Sequence, residues 1–232
     1  MIYKLLRFAI YSITAFIVST VLIVVLFKWV NPASSAFMSL KSSEPALLLN
    51  NEVPRQKWVS IDKISRNMPL AIIASEDQLF FDHFGFDFDQ IEKAMKANAN
   101  RKRQRGASTI SQQVAKNMFL FPGKNIFRKG IEAYFTLLIE LIWGKKRILE
   151  VYMNIAELGE NTYGVEAAAR LYFNKNASAI TPGEAALLTA ILPSPVKRSV
   201  LRPTAYLSGR KETIMKQMEL IGGVNYIKEM ID

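Results

Sequence analysis

Glu76 and Asp77 stand side by side in SEDQLFFDHFG, residues 75–85. Leu79, Phe80, Phe81 and Phe84 follow closely, as does the chain's only histidine, His83, before Gly85. An apolar surround disfavours the charged form of a carboxyl, and that is one way a glutamate is prepared for proton transfer near neutral pH. The competing reading is an amphipathic helix end, acids to water and phenylalanines to the core. A second carboxylate, Glu132, closes KNIFRKGIE, residues 124–132, which also holds Lys124, Arg128 and Lys129. On a helix, Arg128 and Glu132 share a face. As a surface pair they would contribute only a few tenths of a kcal/mol. As a site, they are a carboxylate inside a cationic cluster able to grip a diphosphate.

Between these stretches lies GASTISQQVAKN, residues 106–117, unusually polar for a helix. Ser108, Thr109, Gln112, Gln113 and Asn117 offer partners to sugar hydroxyls or phosphate oxygens, and Lys116 adds charge. The helix N-terminus behind Gly106 would itself favour an anion. An ordinary exposed helix is the alternative. The next residues, MFLFPG (118–123), form either a membrane-dipping hairpin or part of the core. Arg101–Arg105 places four cations in five residues. A solvated loop or a loop facing lipid phosphates fits it better than nucleic acid, because stacking aromatics are missing from the run.

These residues need helices to position them. Apolar spacing predicts helices over residues 61–76, 88–100, 108–118, 129–143, 145–155, 181–191 and 205–220. Ser108 and Thr109 are cap candidates, and Thr181, Pro182 and Glu184 form a capping box with proline. Asp87 or Asp89 starts the second helix, and Gly222-Gly223 breaks the chain after the last. Glu150, Tyr152 and Asn154 carry polar groups into an apolar helix, and Gly159, Tyr163 and Gly164 mark a tight loop. Val165–Ala169 packs closely against something, and strand-like alternation is scarce.

Phe8–Phe27 carries no charge over twenty residues. At about 1.5 Å per residue it spans about 30 Å, the thickness of a bilayer's hydrocarbon core. Lys4 and Arg7 precede it, which favours a cytoplasmic N-terminus, although Lys28 pulls the other way. A cleaved signal peptide is the rival, disfavoured by the length of the run. The expected layout is an N-terminus and anchor over 1–30, a Ser/Ala/Pro-rich linker over 31–48, partly ordered at best, and one mainly α domain over 49–232. The absence of cysteine excludes disulfides, thiolate metal sites and cysteine nucleophiles, and one histidine excludes a histidine-rich metal site. The net charge of +10 suits a chain working beside anionic lipid.

Four ordered motifs carry a resemblance: E-D-x-x-F-x-x-H-x-G from Glu76, G-x-S-T-I-x-Q-Q-x-x-K-N from Gly106, R-K-x-x-E from Arg128 and K-x-x-I-L-E-x-Y-x-N from Lys145. Over about residues 50–205 the chain resembles the peptidoglycan glycosyltransferases, the polymerising module of bifunctional penicillin-binding proteins. Its end soon afterwards, with no K-T-G, points to the stand-alone form; Ser194–Lys197 and Ser60–Lys63 match S-x-x-K by chance. The resemblance implies a lysozyme-like, two-lobed helical fold with the smaller lobe partly in the membrane. It implies the inner membrane, a periplasmic catalytic domain and lipid II as substrate. A β-1,4 bond forms with inversion onto a nascent glycan strand, beside other cell-wall synthesis proteins. By motif, Glu76 is the general base, and Glu132 assists the leaving diphosphate or a divalent cation, Mg or Mn. Lys116, Arg128 and Lys129 hold diphosphate charge, and Ser108, Thr109, Gln112, Gln113 and Asn117 line the substrate. Asp77, Phe80, His83, Gly85, Glu150, Tyr152 and Asn154 support the site. Lys124 departs from the arginine frequent at its position, keeping charge without the bidentate grip. The rivals are a membrane-anchored lysozyme-like lytic enzyme and a non-catalytic envelope scaffold.

Overall fold

The computed structural model describes residues 2–42, 54–99, 106–123, 125–192 and 194–231. Lys124, the Arg101–Arg105 run and residues 43–48 of the expected linker lie outside the described residues.

The chain is mainly helical. Helix α1 (Ile2–Trp29) contains an 18-residue stretch of mean hydropathy 2.5 and is long and apolar enough to cross a membrane. Its first two-thirds are exposed, while Thr20 and Val24 are buried. Within the expected linker, helix α2 (Ala36–Ser42) is capped by Ser35 Oγ and packs on helix α5 (Ile110–Phe119). Lys41 of α2 also pairs with Glu157.

The predicted helix over 61–76 is shorter. Residues Ile61–Lys63 form a 3-10 turn, and helix α3 runs Asn67–Glu76. Ser65 between them bonds instead to Ala177 and Ile180. Met68–Ala74 are buried without a break, so α3 is a central rod, not an amphipathic helix. Around it pack α9 (Pro182–Ile191), α10 (Ala205–Leu220) and α11 (Gly223–Ile231). The capping box of Thr181 and Glu184 sets the start of α9, as the spacing predicts.

A second group is formed by α5, α6 (Ile126–Ile142) and α7 (Lys145–Ile155). Asn125 caps α6, accepting from Arg128 N at 2.6 Å. Gly144, at φ 75°, lets the chain turn directly into α7. Helix α4 (Phe88–Asn98) takes Asp87 as its cap. A small sheet places β1 (Arg55–Gln56) parallel to β3 (Thr162–Tyr163), which is antiparallel to β2 (Glu157–Gly159). The expected tight loop is the turn of this hairpin. Helix α8 (Val165–Phe173) follows, entered through Gly164 at φ 79°.

The C-terminal part of α1 docks on the second group. Thr20 Oγ1 lies 2.7 Å from Tyr134 Oη, and Trp143 Nε1 donates to Val24 O at 2.7 Å. Arg147 donates to Phe27 O and Val30 O, the free carbonyls at the end of the helix.

A Cβ at Gly164 would sit 2.7 Å from the Asn154 carbonyl oxygen, which is backbone and cannot swing away. Gly164→Ala should therefore cost about 2 kcal/mol or more, lowering the melting temperature by roughly 4–8 °C. Gly130, inside α6 with open space around it, is the contrast. Gly130→Ala should raise the melting temperature slightly, by roughly 1–3 °C. Thermal unfolding of both variants checks the pair.

Candidate active site

A cleft of about 700 Å³ opens where α3, α4, α5 and α10 meet. Its lining includes Glu76, Asp77, Gln78, Ser108, Thr109, Gln113 and Arg210. Glu76 is the last residue of α3. Its Oε1 accepts from Ser75 Oγ at 3.2 Å and lies 3.6 Å from Arg210 Nη2. Its Oε2 accepts from Gln113 Nε2 at 3.3 Å. These partners are polar, which corrects the expectation of a carboxylate held among rings. The rings of the 75–85 stretch serve elsewhere. Phe80 is fully buried with the Lys145 ammonium 4.6 Å from its centroid, and Phe81 packs edge-on against Tyr226.

Asp77 has turned inward and is a clamp. Its Oδ2 accepts from Ile110 N, the first residue of α5, at 2.9 Å, and its Oδ1 lies 2.9 Å from His83 Nε2. A carboxylate there satisfies one of the free N–H groups of α5 and opposes its dipole. Thr109 caps the same helix and donates to Gly85 O at 2.6 Å. Gly85 is at φ 78°, where a Cβ would meet Thr136 Cγ2 at 2.8 Å. Gln112 returns its side chain to Thr109 N and is absent from the cleft lining. Both residues of this pair serve the cap, and Thr109 also lines the cleft together with Ser108 and Gln113.

Glu132, on α6, is 2 % exposed. Arg128 Nη1 donates to its Oε2 at 3.0 Å and Lys129 Nζ to its Oε1. Arg128 Nε is buried without a partner among the described residues, a donor left over. Lys116 lies on α5 and feels the charge of both carboxylates, Glu132 more than Glu76. It is open to water yet walled by protein, and that partial burial holds its ammonium below the ordinary lysine range; Glu132 pulls the other way. Three cations thus face one carboxylate. Asn117 is half-buried beside them.

The remaining supports act at a distance. Asn154 bonds to Val59 N and O at 2.8 and 2.9 Å, and Glu150 accepts from Ile61 N at 2.9 Å, tying the chain before α3 to α7. Tyr152 donates to Gln113 Oε1. The MFLFPG stretch divides between its two readings, with Met118 and Leu120 buried and Phe121 68 % exposed.

Among the described residues no cluster of three or more His, Asp or Glu side chains could hold a metal ion. Both oxygens of Glu132 are already held by cations, so it does not fit as a resident ligand for a divalent ion. Two further residues bear on the site without having been picked out by spacing. Glu140, buried on α6, accepts from Ser111 and Lys145, and Lys145 also donates to His83 O. A carboxylate in the apolar run FTLLIELI was a readable signal for it. Arg210 had none, for it comes from a polar helix 134 residues after Glu76.

The transglycosylase family profile matches residues 45–219. The chain belongs to that family. Among its relatives, a biosynthetic peptidoglycan transglycosylase of Bacteroides thetaiotaomicron is 46% identical over 218 residues, covering 94% of this chain and 88% of that one. One from Pseudomonas putida strain F1 is 43% identical, covering 93% and 91%. One from Escherichia coli strain UMN026 is 53% identical over 178 residues, covering 76% and 74%. The four motifs and the whole cleft fall inside the matched region, and so does Arg210.

Removing the Asp77 clamp tests the site's construction without touching Glu76. Asp77→Ala strands the buried Ile110 N–H and should cost about 1–3 kcal/mol. The melting temperature should fall by roughly 3–8 °C, read by circular dichroism in detergent.

Proposed function

We propose that this chain polymerises lipid II into β-1,4-linked glycan strands of peptidoglycan, with inversion at the donor's anomeric carbon. The observation that carries the reading is the pairing of two unlike carboxylates across Lys116. One, Glu76, faces an open cleft; the other, Glu132, sits inside a cationic cluster. Glu76 takes the proton of the acceptor's 4-hydroxyl as its oxygen attacks the donor's anomeric carbon. The bond to the diphosphate breaks, and Lys116, Arg128 and Lys129 meet the charge that develops on it. Arg128 Nε offers a donor to a phosphate oxygen. A divalent ion has no prepared seat among the described residues, so no step is assigned to one.

The docking of α1 supports a reading of the membrane placement. Phe16 and Thr20 lie against Tyr134, and Val24 against Trp143, so α1 and α6 run in the same direction. The N-terminal end of α6 therefore points back along the apolar helix. Phe121, Ile126 and Phe127 are 68%, 92% and 77% exposed there. Apolar surface of this kind suits the bilayer and would bring the Glu132 cluster to the depth of a lipid diphosphate. The domain would then stand on the extracytoplasmic side of a single-pass anchor.

A lysozyme-like lytic enzyme would also use a glutamate, but it cleaves a polymer that carries no diphosphate, and the cation cluster would have no task. With detergent-purified full-length protein and fluorescent lipid II, the products should be a ladder of long chains that lysozyme digests. Glu76→Gln should abolish the ladder while keeping the fold. A ladder from that variant overturns the base assignment, and shortening of preformed glycan by the wild type moves the protein to the lytic class.

The lowered lysine gives a pH dependence. Lys116 should lose its proton below the pH at which ordinary lysines do, near 10.5, so turnover falls on the alkaline side as the cleft loses a cation. Lys116→Arg cannot deprotonate in that range, and its residual activity should hold to higher pH. Initial rates across an alkaline pH series check the difference.

A further inference from the structure

We propose that Tyr152 is a positioning residue for Glu76, acting through Gln113. Its phenol holds the Gln113 amide in the orientation that turns the NH2 group toward the carboxylate. This deepens the reading of Glu76 as the base and rests on it.

Tyr152 projects from α7 and is 2% exposed, among the largest side chains in the core. Its hydroxyl donates to Gln113 Oε1 at 3.2 Å, and Gln113 Nε2 donates to Glu76 Oε2 at 3.3 Å. A glutamine amide has one end that only accepts and one that only donates. An ionised carboxylate only accepts, so the NH2 end must face Glu76 and the oxygen must face away. The oxygen then needs a donor, and Tyr152 supplies it. Burial pushes the phenol well above the ordinary tyrosine range, with Glu76 and Asp77 adding to the effect, so it keeps its proton wherever the enzyme works. Without it the amide is free to turn, and a turned amide sets oxygen against oxygen at the base.

The other oxygen of Glu76 is held by Ser75, with the Arg210 guanidinium beyond, and Arg210 also donates to Ser75 Oγ at 3.1 Å. The Tyr152–Gln113 pair is the matching hold on Oε2. Together they fix the rotation of the carboxylate, which decides which lone pair meets the acceptor's proton. If Tyr152 served the core alone, a phenylalanine would fill the same space and the hydroxyl would be a buried polar group with nothing to do.

The test uses full-length protein in detergent with lipid II, comparing wild type, Tyr152→Phe, Gln113→Ala and the double variant. Tyr152→Phe should lower kcat by about tenfold with KM and melting temperature little changed. The double variant should be no slower than Gln113→Ala, because the phenol has nothing left to orient. A wild-type kcat in Tyr152→Phe overturns the proposal, as do losses that multiply in the double variant. A second readout needs no turnover. The 15N resonance of the Gln113 side-chain amide should shift in Tyr152→Phe and in Glu76→Gln alike. If the wild type fails to polymerise lipid II, the functional reading falls, and this spectrum alone decides the coupling. An amide that stays put in either variant overturns it.

Discussion

The bond from Ile110 N to Asp77 Oδ2 joins the end of one helix to the start of another, and the site depends on that junction. Helix α3 ends at Glu76 because the next residue leaves the helix to reach across. Helix α5 begins at Ile110 with one of its free N–H groups already taken. Eight residues after Asp77, Gly85 O receives Thr109 Oγ1, so the loop after Glu76 is tied to the same helix start twice. His83, held by Asp77, and Lys145, held by Glu140, brace the loop from behind. Glu76 and Gln113 are brought within reach of each other by this pair of helix ends. The 3.3 Å bond between them then acts on a carboxylate whose position the junction has already set, and bears only on how it is turned.

Much of this was legible because the motif residues carry their chemistry locally. Thr181 and Glu184 gave the start of α9 by spacing, and α7 and α10 fell where apolar periodicity put them. The short start of α3 was missed because Ser65 is claimed by carbonyls of residues 177 and 180, more than a hundred positions away. Thr109 and Gln112 admit two readings in sequence because a capping box and a sugar-binding face use the same side chains. Their roles separate only once the helix start is buried. Arg210 was invisible for a related reason. Nothing around it in sequence distinguishes it from the other cations of α10, and its meaning comes from the fold of α10 against α3.

The apolar N-terminal helix is bonded to the two helices that carry the second carboxylate and the proposed positioning tyrosine. Tyr134 belongs to α6 with Glu132, and Trp143 is that helix's C-cap; Arg147 belongs to α7 with Tyr152. Arg147 also pairs with Glu150, whose other oxygen holds Ile61 N. A helix end normally leaves its last carbonyls to water. Here a guanidinium takes them, and the same group leans on the Trp58 ring at 5.3 Å. The apolar helix is thus held to the domain by side-chain contacts, where a flexible tether would leave it free. On the proposed reading of a lipid-diphosphate substrate, that hold would set the depth of the cleft relative to the bilayer.

The two carboxylates show how environment assigns roles to one functional group. Glu132 is almost fully buried and has a cation on each oxygen, so a substrate hydroxyl has little access to it and its charge is already countered. What it contributes is order: Arg128 and Lys129 repel each other, and the shared carboxylate holds them on one face while leaving the cluster positive. Glu76 keeps its oxygens toward an open cleft, against a hydroxyl, an amide and a more distant guanidinium. None of these bonds is so tight that a substrate hydroxyl could not compete for a lone pair. Proton acceptance needs that availability, and anion binding needs the reverse. On the proposed reading, exchanging the two surroundings would exchange the two roles.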